Sequence, residues 1–545
     1  MRKFLSVVLA LSLSSISCKS QQKVQLTQNS KPKLVVGIVV DQLRADYLYR
    51  FNSRFTHHGF KRMINDGFVC YNTFYTHMPT HTGPGHASIF TGASPSLHGI
   101  IANDWIDPFS GDTINCVEDL TVQPLGSSNE INRRSPVLLK GTGIADELKY
   151  AQQFKSKSIG ISLKDRGAIL PASHSANAAY WFDSKIGQFV SSTYYMNELP
   201  KWVVDFNQLN LPKKYLSEDW TTLLPMESYY DCSSDDNPYE GTFSFETRPV
   251  FPHAFSKMNP INYNVINYSP AGNTLTSDFA IRCMVEEKMG LQSTTDFISI
   301  SYSATDYIGH MHGTDAIELA DCMLRLDLEL QRLFTFLDAT YGKENYVCFL
   351  TSDHGAKSNP AYLKDNKIPG SIFDQKGLIG SVKQFLKETY GRDSLCLGII
   401  KHMIYLDHQK MESFQIDPDE ASEKLANFLE KNMQIAQVLT RKQLEGPLLH
   451  FPANLLQQSY HSKRSADVLI IYNQELLQYQ TTGTQHISPY TFDTHVPLLW
   501  MGWKIKHGRT YQKVNINDIA PTLSTLLQIS WPSGTNGKVI EGIFE

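Results

Sequence analysis

Short, uninterrupted apolar segments recur along this 545-residue chain, with helix-like stretches between several of them. Continuous apolar runs of this length are typical of strands that are buried on both faces of a parallel sheet. A leucine-rich stripe with alternating spacings of four and three also predicts a core helix between two of the runs. The chain is therefore predicted to form an α/β fold around a mostly parallel central sheet. The predicted strands are residues 34–40, 158–163, 297–302, 346–352, 467–472 and 494–502.

Two long stretches interrupt the alternation of strands and helices. Residues from about 171 to 268 are rich in aromatic residues, Pro and Asn without clean periodicity, and residues from about 360 to 465 contain two amphipathic helical stretches. Because 41% of the residues are hydrophobic, the chain can bury a large core. We interpret both stretches as insertions into one catalytic domain, residues 34–545, and we expect the first to cover one side of its site.

The N-terminus has the features of an export signal. Residues 1–18 contain Arg2 and Lys3, then an apolar run, then small residues up to Cys18. The run is too short for a mature transmembrane helix. Cys18 resembles the cysteine of a bacterial lipoprotein signal, so lipidation and simple cleavage remain alternatives. We therefore expect a periplasmic protein on a polar tether, residues 19–33, whose membrane contact is limited to a lipid on Cys18.

Charge and cysteine usage exclude some classes of site. The net charge of −4, with mixed signs, provides no basic field for nucleic acid, so a phosphorylated substrate needs a local site. Seven cysteines follow Cys18 without CxxC spacing, which argues against a thiolate metal site and leaves one or two disulfides open.

The segment 78–92 is a candidate for the reactive centre. Thr82 is followed by small residues, a proline and then an apolar run, so its hydroxyl is predicted to lie at the start of a helix. Free N–H groups and the positive end of the helix dipole would favour an alkoxide and an anionic substrate there. The alternative is a threonine that only caps the helix.

Six oxygen or nitrogen ligands lie mostly just beyond the predicted strands. The carboxyl ends of parallel strands meet at one crevice, so these side chains are expected to converge. Two of them are four residues apart, a spacing that one helical turn converts into convergent ligands. Nitrogen and oxygen donors without thiolates suit zinc, and three histidines make manganese or magnesium less favourable. The six are Asp41, Asp306, His310, Asp353, His354 and His486.

Three further side chains could contact an anionic substrate. Lys164 and Arg166 follow the strand at 158–163, and alternation would place both on one face if the extended backbone continued. A solvated turn is the alternative for such a charged run. Asn103 could donate its amide to a phosphoryl oxygen, although an Asn-Asp pair also commonly forms a turn.

Taken in order, these motifs resemble the alkaline phosphatase superfamily and are most similar to the PafA-type periplasmic alkaline phosphatases, which are related to type I phosphodiesterases and nucleotide pyrophosphatases. The resemblance runs from about Lys31 to the C-terminus and includes both insertions. The motifs are Val-Val-Asp41, Pro-Thr-x-Thr82-x-x-Gly-His, Asn103-Asp-Trp, Lys164-Asp-Arg166, Thr-Asp306-Tyr-x-Gly-His310, Ser-Asp353-His354-Gly, Gly-Thr-x-His486 and Asp-Ile-Ala-Pro-Thr-Leu.

The resemblance implies a three-layer α/β sandwich with two insertions, a monomer, and a phosphate monoester hydrolase that uses two zinc ions. It implies that Thr82 is the nucleophile and forms a phosphothreonine. Asp306, His310 and His486 would hold one zinc ion. Asp41, Asp353 and His354 would hold the other ion, which the Thr82 oxygen would also contact. The remaining phosphoryl oxygens would be contacted by Asn103, Lys164 and Arg166.

Two alternatives belong beside this interpretation. A phosphodiesterase or nucleotide pyrophosphatase on the same scaffold would share the six ligands and the threonine, but it would not use the Lys-x-Arg pair in the same role. A non-catalytic surface lipoprotein that binds phosphorylated ligands or glycans would be expected to lose metal ligands, and all six are present.

Overall fold

Parallel strands form the centre of the largest sheet in the computed structural model, which describes residues 31–478 and 481–544. Residues 32–545 form one unit by their internal contacts. The strands, in chain order, are β1 Leu34–Val40, β2 Phe68–Phe74, β3 Asp104–Ile106, β4 Thr113–Asn115, β5 Pro124–Leu125, β6 Ser158–Ser162, β7 Ala178–Asp183, β8 Gln188–Ser192, β9 Asp296–Tyr302, β10 Tyr346–Thr351, β11 Ser371–Phe373, β12 Cys396–Ile400, β13 Met403–Leu406, β14 Ile435–Thr440, β15 Val468–Tyr472, β16 Leu476–Gln478, β17 His495–Gly502, β18 Gly508–Thr510 and β19 Val514–Asn515.

Helices connect most of these strands, and several of them are short. In chain order they are α1 Tyr47–Arg50, α2 Phe60–Asp66, α3 Thr82–Thr91, α4 Pro95–His98, α5 Ile144–Ala151, α6 Asp165–Ala172, α7 Lys201–Gln208, α8 Leu211–Tyr215, α9 Ala271–Glu286, α10 Ala304–His312, α11 Ile317–Tyr341, α12 Pro360–Asp365, α13 Gln375–Tyr390, α14 His408–Ser413, α15 Pro418–Leu429, α16 Arg441–Leu444, α17 Ala453–Gln457, α18 Thr491–Thr494 and α19 Ile519–Leu527.

The central sheet has the strand order β18-β2-β17-β10-β1-β9-β6-β7-β8-β5, and β19 also pairs with β2. Strands β10, β1, β9, β6 and β7 run parallel to one another. Antiparallel strands β17 and β8 flank this parallel core on its two sides. The carboxyl ends of β10, β1, β9 and β6 therefore lie side by side along one edge of the sheet.

Both faces of the sheet are covered, which makes three layers. Val36 and Ile38 of β1 face a core that contains residues of α9 and α11, and Val35 and Val39 face another core that contains residues of α3, α5 and α19. This alternation explains the continuous apolar runs, because each strand needs an apolar residue on both faces. The predicted three-layer α/β sandwich with a mostly parallel sheet is confirmed.

The structure corrects one predicted strand. Residues 467–472 were expected to return to the central sheet, but β15 pairs with β13 and β14 in a separate sheet of order β12-β13-β15-β14. Helices α13 and α15 contribute to the apolar core of this smaller sheet. An apolar run shows that a strand is buried, but it does not show which sheet the strand joins.

The central sheet also extends into the stretch predicted as the first insertion. Strands β7 and β8 lie within residues 171–268, and β7 pairs with β6. The rest of this stretch, residues 193–268, consists of short helices and loops.

The seven cysteines of the described residues are all free thiols, and five of them are buried. The predicted export signal and Cys18 lie outside the described residues. Among the described residues, no helix combines the length and the hydrophobicity that crossing a bilayer requires.

Aromatic packing attaches α9 to the sheet, and we expect it to contribute strongly to stability. Phe279 is fully buried, stacks on Phe189 of β8 at 3.9 Å between ring centroids, and lies 5.1 Å from Trp202. Replacing Phe279 by Ala should destabilise the fold by about 3–5 kcal/mol, because both the burial and the packing are lost. Urea unfolding followed by fluorescence measures this change.

Val285 on the same helix provides the control, because it is 53% exposed. Val285→Ala should change stability by no more than about 0.5 kcal/mol. Equal destabilisation by the two variants would contradict a packing role for Phe279.

Candidate active site

Thr82 is the first residue of α3 and is 1% exposed. His81 occupies the N-cap position with an extended backbone, so the structure does not support the alternative in which Thr82 itself is the cap. Gly85 allows α3 to approach the end of β10 closely, because a Cβ at Gly85 would clash with the Asp353 backbone. The Thr82 hydroxyl is thereby held near the carboxyl ends of the parallel strands.

Lys164 connects the threonine to two carboxylates. Its Nζ lies 2.6 Å from Asp41 Oδ2, 2.6 Å from Asp306 Oδ2 and 3.3 Å from Thr82 Oγ1. Asp41 follows β1, Asp306 lies in the first turn of α10, and Lys164 follows β6. Because β1, β9 and β6 are neighbours in the sheet, these charged groups converge at its edge.

The second oxygen of each carboxylate faces imidazole nitrogens. Asp306 Oδ1 lies 3.2 Å from His310 Nε2 and 3.6 Å from His486 Nε2, and Asp41 Oδ1 lies 3.5 Å from His354 Nε2. The rings of His354 and His486 stack with centroids 3.5 Å apart. One side of each carboxylate therefore meets an ammonium group and the other meets an imidazole.

Backbone carbonyls orient all three imidazoles in the same way. The Nδ1 atoms of His310, His354 and His486 lie at hydrogen-bond distance from the carbonyls of Thr484, Gly355 and Thr80, respectively. An Nδ1–H that donates to a carbonyl leaves the Nε2 lone pair free, which is the tautomer that binds metals. The three Nε2 atoms accordingly face the carboxylates.

Burial and neighbouring charges shift the pKa values of the clustered carboxyl groups and imidazoles. Burial, followed by the nearby charges of Asp306 and Asp353, raises the pKa of Asp41 well above its usual value. Burial also raises the pKa of Asp353 to about 6 and lowers the pKa of His354 to about 4. Burial opposes ionisation of Asp306 too, but the nearby His310 imidazole and the Lys164 ammonium hold its pKa well below the usual value.

These residues fit metal ions. The ligand atoms of Asp306, His354 and His486 lie within 4.8 Å of one another, and so do those of Asp41, Asp353 and His354. Asp41 Oδ1, Asp353 Oδ2 and His354 Nε2 are buried and have no hydrogen-bond partner in the described part of the chain. Buried polar atoms without partners are costly unless a cation compensates them.

The grouping of the ligands differs in one respect from the predicted one. His310 was expected with Asp306 and His486, whereas the set whose ligand atoms lie within 4.8 Å of one another contains His354 with those two residues. His310 remains adjacent through Asp306, as described above. All six predicted ligands thus lie close together, five of them buried and His310 partly exposed.

Two of the predicted anion contacts, Asn103 and Lys164, lie next to Thr82 or its neighbour Gly83, and the third needs a correction. The Gly83 N–H donates to Asn103 Oδ1 over 2.8 Å, so the described hydrogen bonds leave the amide NH₂ of Asn103 available. The backbone is extended at Lys164, but the expected continuation to Arg166 is wrong, because α6 begins at Asp165. Arg166 lies in the first turn of that helix, and its buried Nε has no partner among the described residues.

Two residues near the site were missed by the sequence analysis. Gln42 has a positive φ of 61° and donates Nε2 to Asp306 Oδ1 over 2.7 Å. Its position directly after Asp41 was the available signal. Lys401 lies 2.9 Å from His81 Nε2 and belongs to the turn between β12 and β13 of the second insertion. Nothing in its local sequence indicates this contact.

Known proteins that are similar to this chain belong to a family of phosphate ester hydrolases. The family described as type I phosphodiesterase / nucleotide pyrophosphatase matches residues 35–497. The chain therefore belongs to this family, within the alkaline phosphatase superfamily.

Three curated relatives are similar over almost their whole length. Alkaline phosphatase PhoV of Synechococcus elongatus is 41% identical over 99% of both chains. A protein of Myroides odoratus named calcium-transporting ATPase is 39% identical over 94% of this chain and 95% of its own. Alkaline phosphatase PafA of Elizabethkingia meningoseptica is 40% identical over 94% of both chains. A solved structure of alkaline phosphatase PafA superposes with a TM-score of 0.92 and 39% identity, covering 94% of this chain and 99% of that one.

The raised pKa of Asp353 predicts a stability change that reverses sign with metal. In chelator-treated protein at pH 8, Asp353→Asn should increase stability by about 1–3 kcal/mol, because it removes a buried charge. The gain should shrink at pH 5, because the folded state then protonates Asp353 while the unfolded state does not. In metal-loaded protein the same variant should be less stable than wild type, because a ligand is lost.

Thermal and urea unfolding at both pH values measure these differences. Asn keeps an acceptor for the Gln42 N–H, which lies 3.2 Å from Asp353 Oδ1. A metal-free variant that is less stable than metal-free wild type at pH 8 would contradict the electrostatic account.

Proposed function

We propose that this protein hydrolyses phosphate monoesters, with the Thr82 hydroxyl attacking phosphorus. The observation that carries the proposal is the position of this buried hydroxyl beside the Lys164 ammonium and next to two carboxylate and imidazole clusters. The names of the PhoV and PafA relatives, both alkaline phosphatases, support the same reaction.

The position of Thr82 suits a nucleophile. As the first residue of α3, it lies at the positive end of the helix dipole, which stabilises negative charge on its oxygen. An in-line attack forms the bond between Thr82 Oγ1 and phosphorus while the bond to the leaving alcohol breaks. Water then cleaves the phosphothreonine, which releases phosphate and restores the hydroxyl.

Two zinc ions per chain are part of the proposal. Asp306, His310 and His486 would hold one ion, and Asp41, Asp353 and His354 would hold the other, with the Thr82 oxygen as a further ligand. Ions of this kind lower the pKa of a coordinated hydroxyl and neutralise charge on phosphoryl oxygens. A donor set of nitrogen and oxygen without thiolate suits zinc.

Three residues are proposed to bind the phosphoryl oxygens. Lys164 contributes a buried positive charge beside Thr82, and Arg166 contributes a guanidinium from the first turn of α6. Asn103 is oriented by the Gly83 N–H and contributes its amide NH₂. A monoester dianion carries more charge on these oxygens than a diester does, so a cationic set favours monoesters.

The family description makes a phosphodiesterase or nucleotide pyrophosphatase the second candidate. Hydrolysis of a monoester and of its matched diester separates the two candidates. The name of the Myroides odoratus relative makes ATP a further substrate to include in that comparison. We also propose that the protein is an exported monomer, with either cleavage near Cys18 or a lipid on it.

Removing the Thr82 hydroxyl should abolish turnover. Thr82→Ala should lower kcat/KM for a phosphate monoester by on the order of 10³-fold or more, because the reaction loses its nucleophile. Acid-quenched wild type should carry phosphate within residues 78–92, as measured by mass spectrometry, and Thr82→Ala should not.

Thr91→Ala is the matched control, because Thr91 is a buried threonine at the other end of α3 whose hydroxyl donates to Ala87 O. It should keep activity within a few-fold. Full activity in Thr82→Ala would overturn the proposed nucleophile.

Arg166 should determine the preference for monoesters. Arg166→Ala should lower kcat/KM for the monoester by about 10²-fold and for the diester by much less, because the diester carries less charge on its free oxygens. Arg332→Ala is the control, since that guanidinium pairs with Asp278 and Glu329. An unchanged ratio of monoester to diester activity in Arg166→Ala would remove Arg166 from substrate selection.

A further inference from the structure

A third cluster of metal-ligating side chains lies outside the six residues already described. We call it the Glu240 cluster, and it consists of Glu240, His312 and Glu318. Their ligand atoms lie within 4.8 Å of one another, and the three residues are 5%, 1% and 0% exposed. Ligands around one zinc ion at about 2.0–2.2 Å are roughly 3.4 Å apart, so small side-chain shifts would suffice to close this set on an ion.

Several polar atoms of the Glu240 cluster make no hydrogen bond to the described residues and could therefore bind a cation. Glu240 Oε2, Glu318 Oε2 and both ring nitrogens of His312 are buried and have no hydrogen-bond partner in the described part of the chain. Leaving this many polar atoms without partners would be costly in a protein interior. A bound cation would satisfy them together.

Neighbouring groups orient the cluster in the manner of a metal site. Glu240 Oε1 accepts from Asn237 Nδ2 over 2.6 Å, which leaves Oε2 free. His253 Nε2 lies 3.2 Å from Glu318 Oε1, and its Nδ1 lies 3.0 Å from Glu246 Oε2. Outer partners that fix one oxygen of a carboxylate and leave the other exposed to a metal are typical of such sites.

The charges also balance for a divalent ion. His253 lies between Glu246 and Glu318, so a cationic His253 would offset the charge of one carboxylate. Of the three carboxylates Glu240, Glu246 and Glu318, two charges then remain near His312 for a divalent ion to balance.

We propose that Glu240, His312 and Glu318 bind one further divalent transition-metal ion of the zinc class, in addition to the two ions of the active site. Two carboxylates and one imidazole suit such an ion better than calcium or magnesium, which prefer oxygen alone. The three protein ligands leave one tetrahedral position for water.

The ion would join the first insertion to the helix that carries active-site ligands. Ser233 N–H donates to Asp315 O and Gly241 N–H donates to Met311 O, each over 2.8 Å, so the loop 233–241 already lies along the C-terminal end of α10 and the turn that follows it. His312 ends α10, the helix that contains Asp306 and His310. The further ion would therefore stabilise α10 from the end opposite Asp306.

The test is the metal content of purified, zinc-supplemented protein, measured by elemental analysis and by anomalous diffraction at the zinc edge. Wild type should contain three ions per chain, with one anomalous peak among Glu240, His312 and Glu318. Glu240→Gln and, independently, His312→Gln should each contain two ions and should lose the same peak. Both variants should also unfold at a lower temperature than wild type.

Two controls separate this inference from the proposed function. His77→Gln replaces a buried histidine that belongs to none of the three clusters, and it should keep three ions. Asp41→Asn should lose metal and activity at the active site while the peak at the Glu240 cluster remains. Two ions in wild type without the third peak, or three ions in both Glu240→Gln and His312→Gln, would overturn the inference and leave the phosphatase proposal untouched.

Discussion

The buried ammonium of Lys164 is the interaction on which the arrangement of the site depends. It lies 2.6 Å from a carboxylate oxygen of both Asp41 and Asp306 and 3.3 Å from the Thr82 hydroxyl. Burying charges is costly unless they are paired. The pairing exists because β1, β9 and β6 are adjacent parallel strands, so the segments that follow them emerge at the same edge. Strand order, rather than any local motif, therefore creates the electrostatics of the site.

Much of this arrangement could be predicted because its signals are local. Asp41 and Asp353 end continuous apolar runs, and such runs are strands of a parallel sheet. The spacing of Asp306 and His310 is one helical turn, and α10 has that geometry. Which sheet β15 joins could not be predicted, because its apolar pattern is the same in either sheet. Lys401 contacts His81 only because of how the second insertion folds, and the periodicity of the sequence does not predict such a contact.

Both insertions contribute direct contacts to the active-site region in addition to covering it. The second brings Lys401 to the residue that precedes Thr82, and burial lowers the pKa of this lysine to about 8. The first brings the loop 233–241 along the end of α10, with backbone hydrogen bonds to Met311 of that helix and to Asp315 of the turn that follows it. Tyr239 of that loop also accepts from Gly483 N–H, close to His486. Both insertions therefore contact segments that position proposed ligands or the nucleophile.

Close backbone packing leaves α10 little freedom to move. A Cβ at Gly483 would clash with the His310 carbonyl, so this contact requires glycine, and Gly309 packs against the end of the Gln42 side chain. Gln42 in turn donates to Asp306, and Thr484 N–H donates to Gly309 O. A shift of α10 would thus displace Asp306 and His310 together with the loop that carries His486. His312 ends the same short helix, so a metal ion that fixes His312 also restrains Asp306 and His310. Metal binding at one end of α10 should therefore limit the movement of the other end.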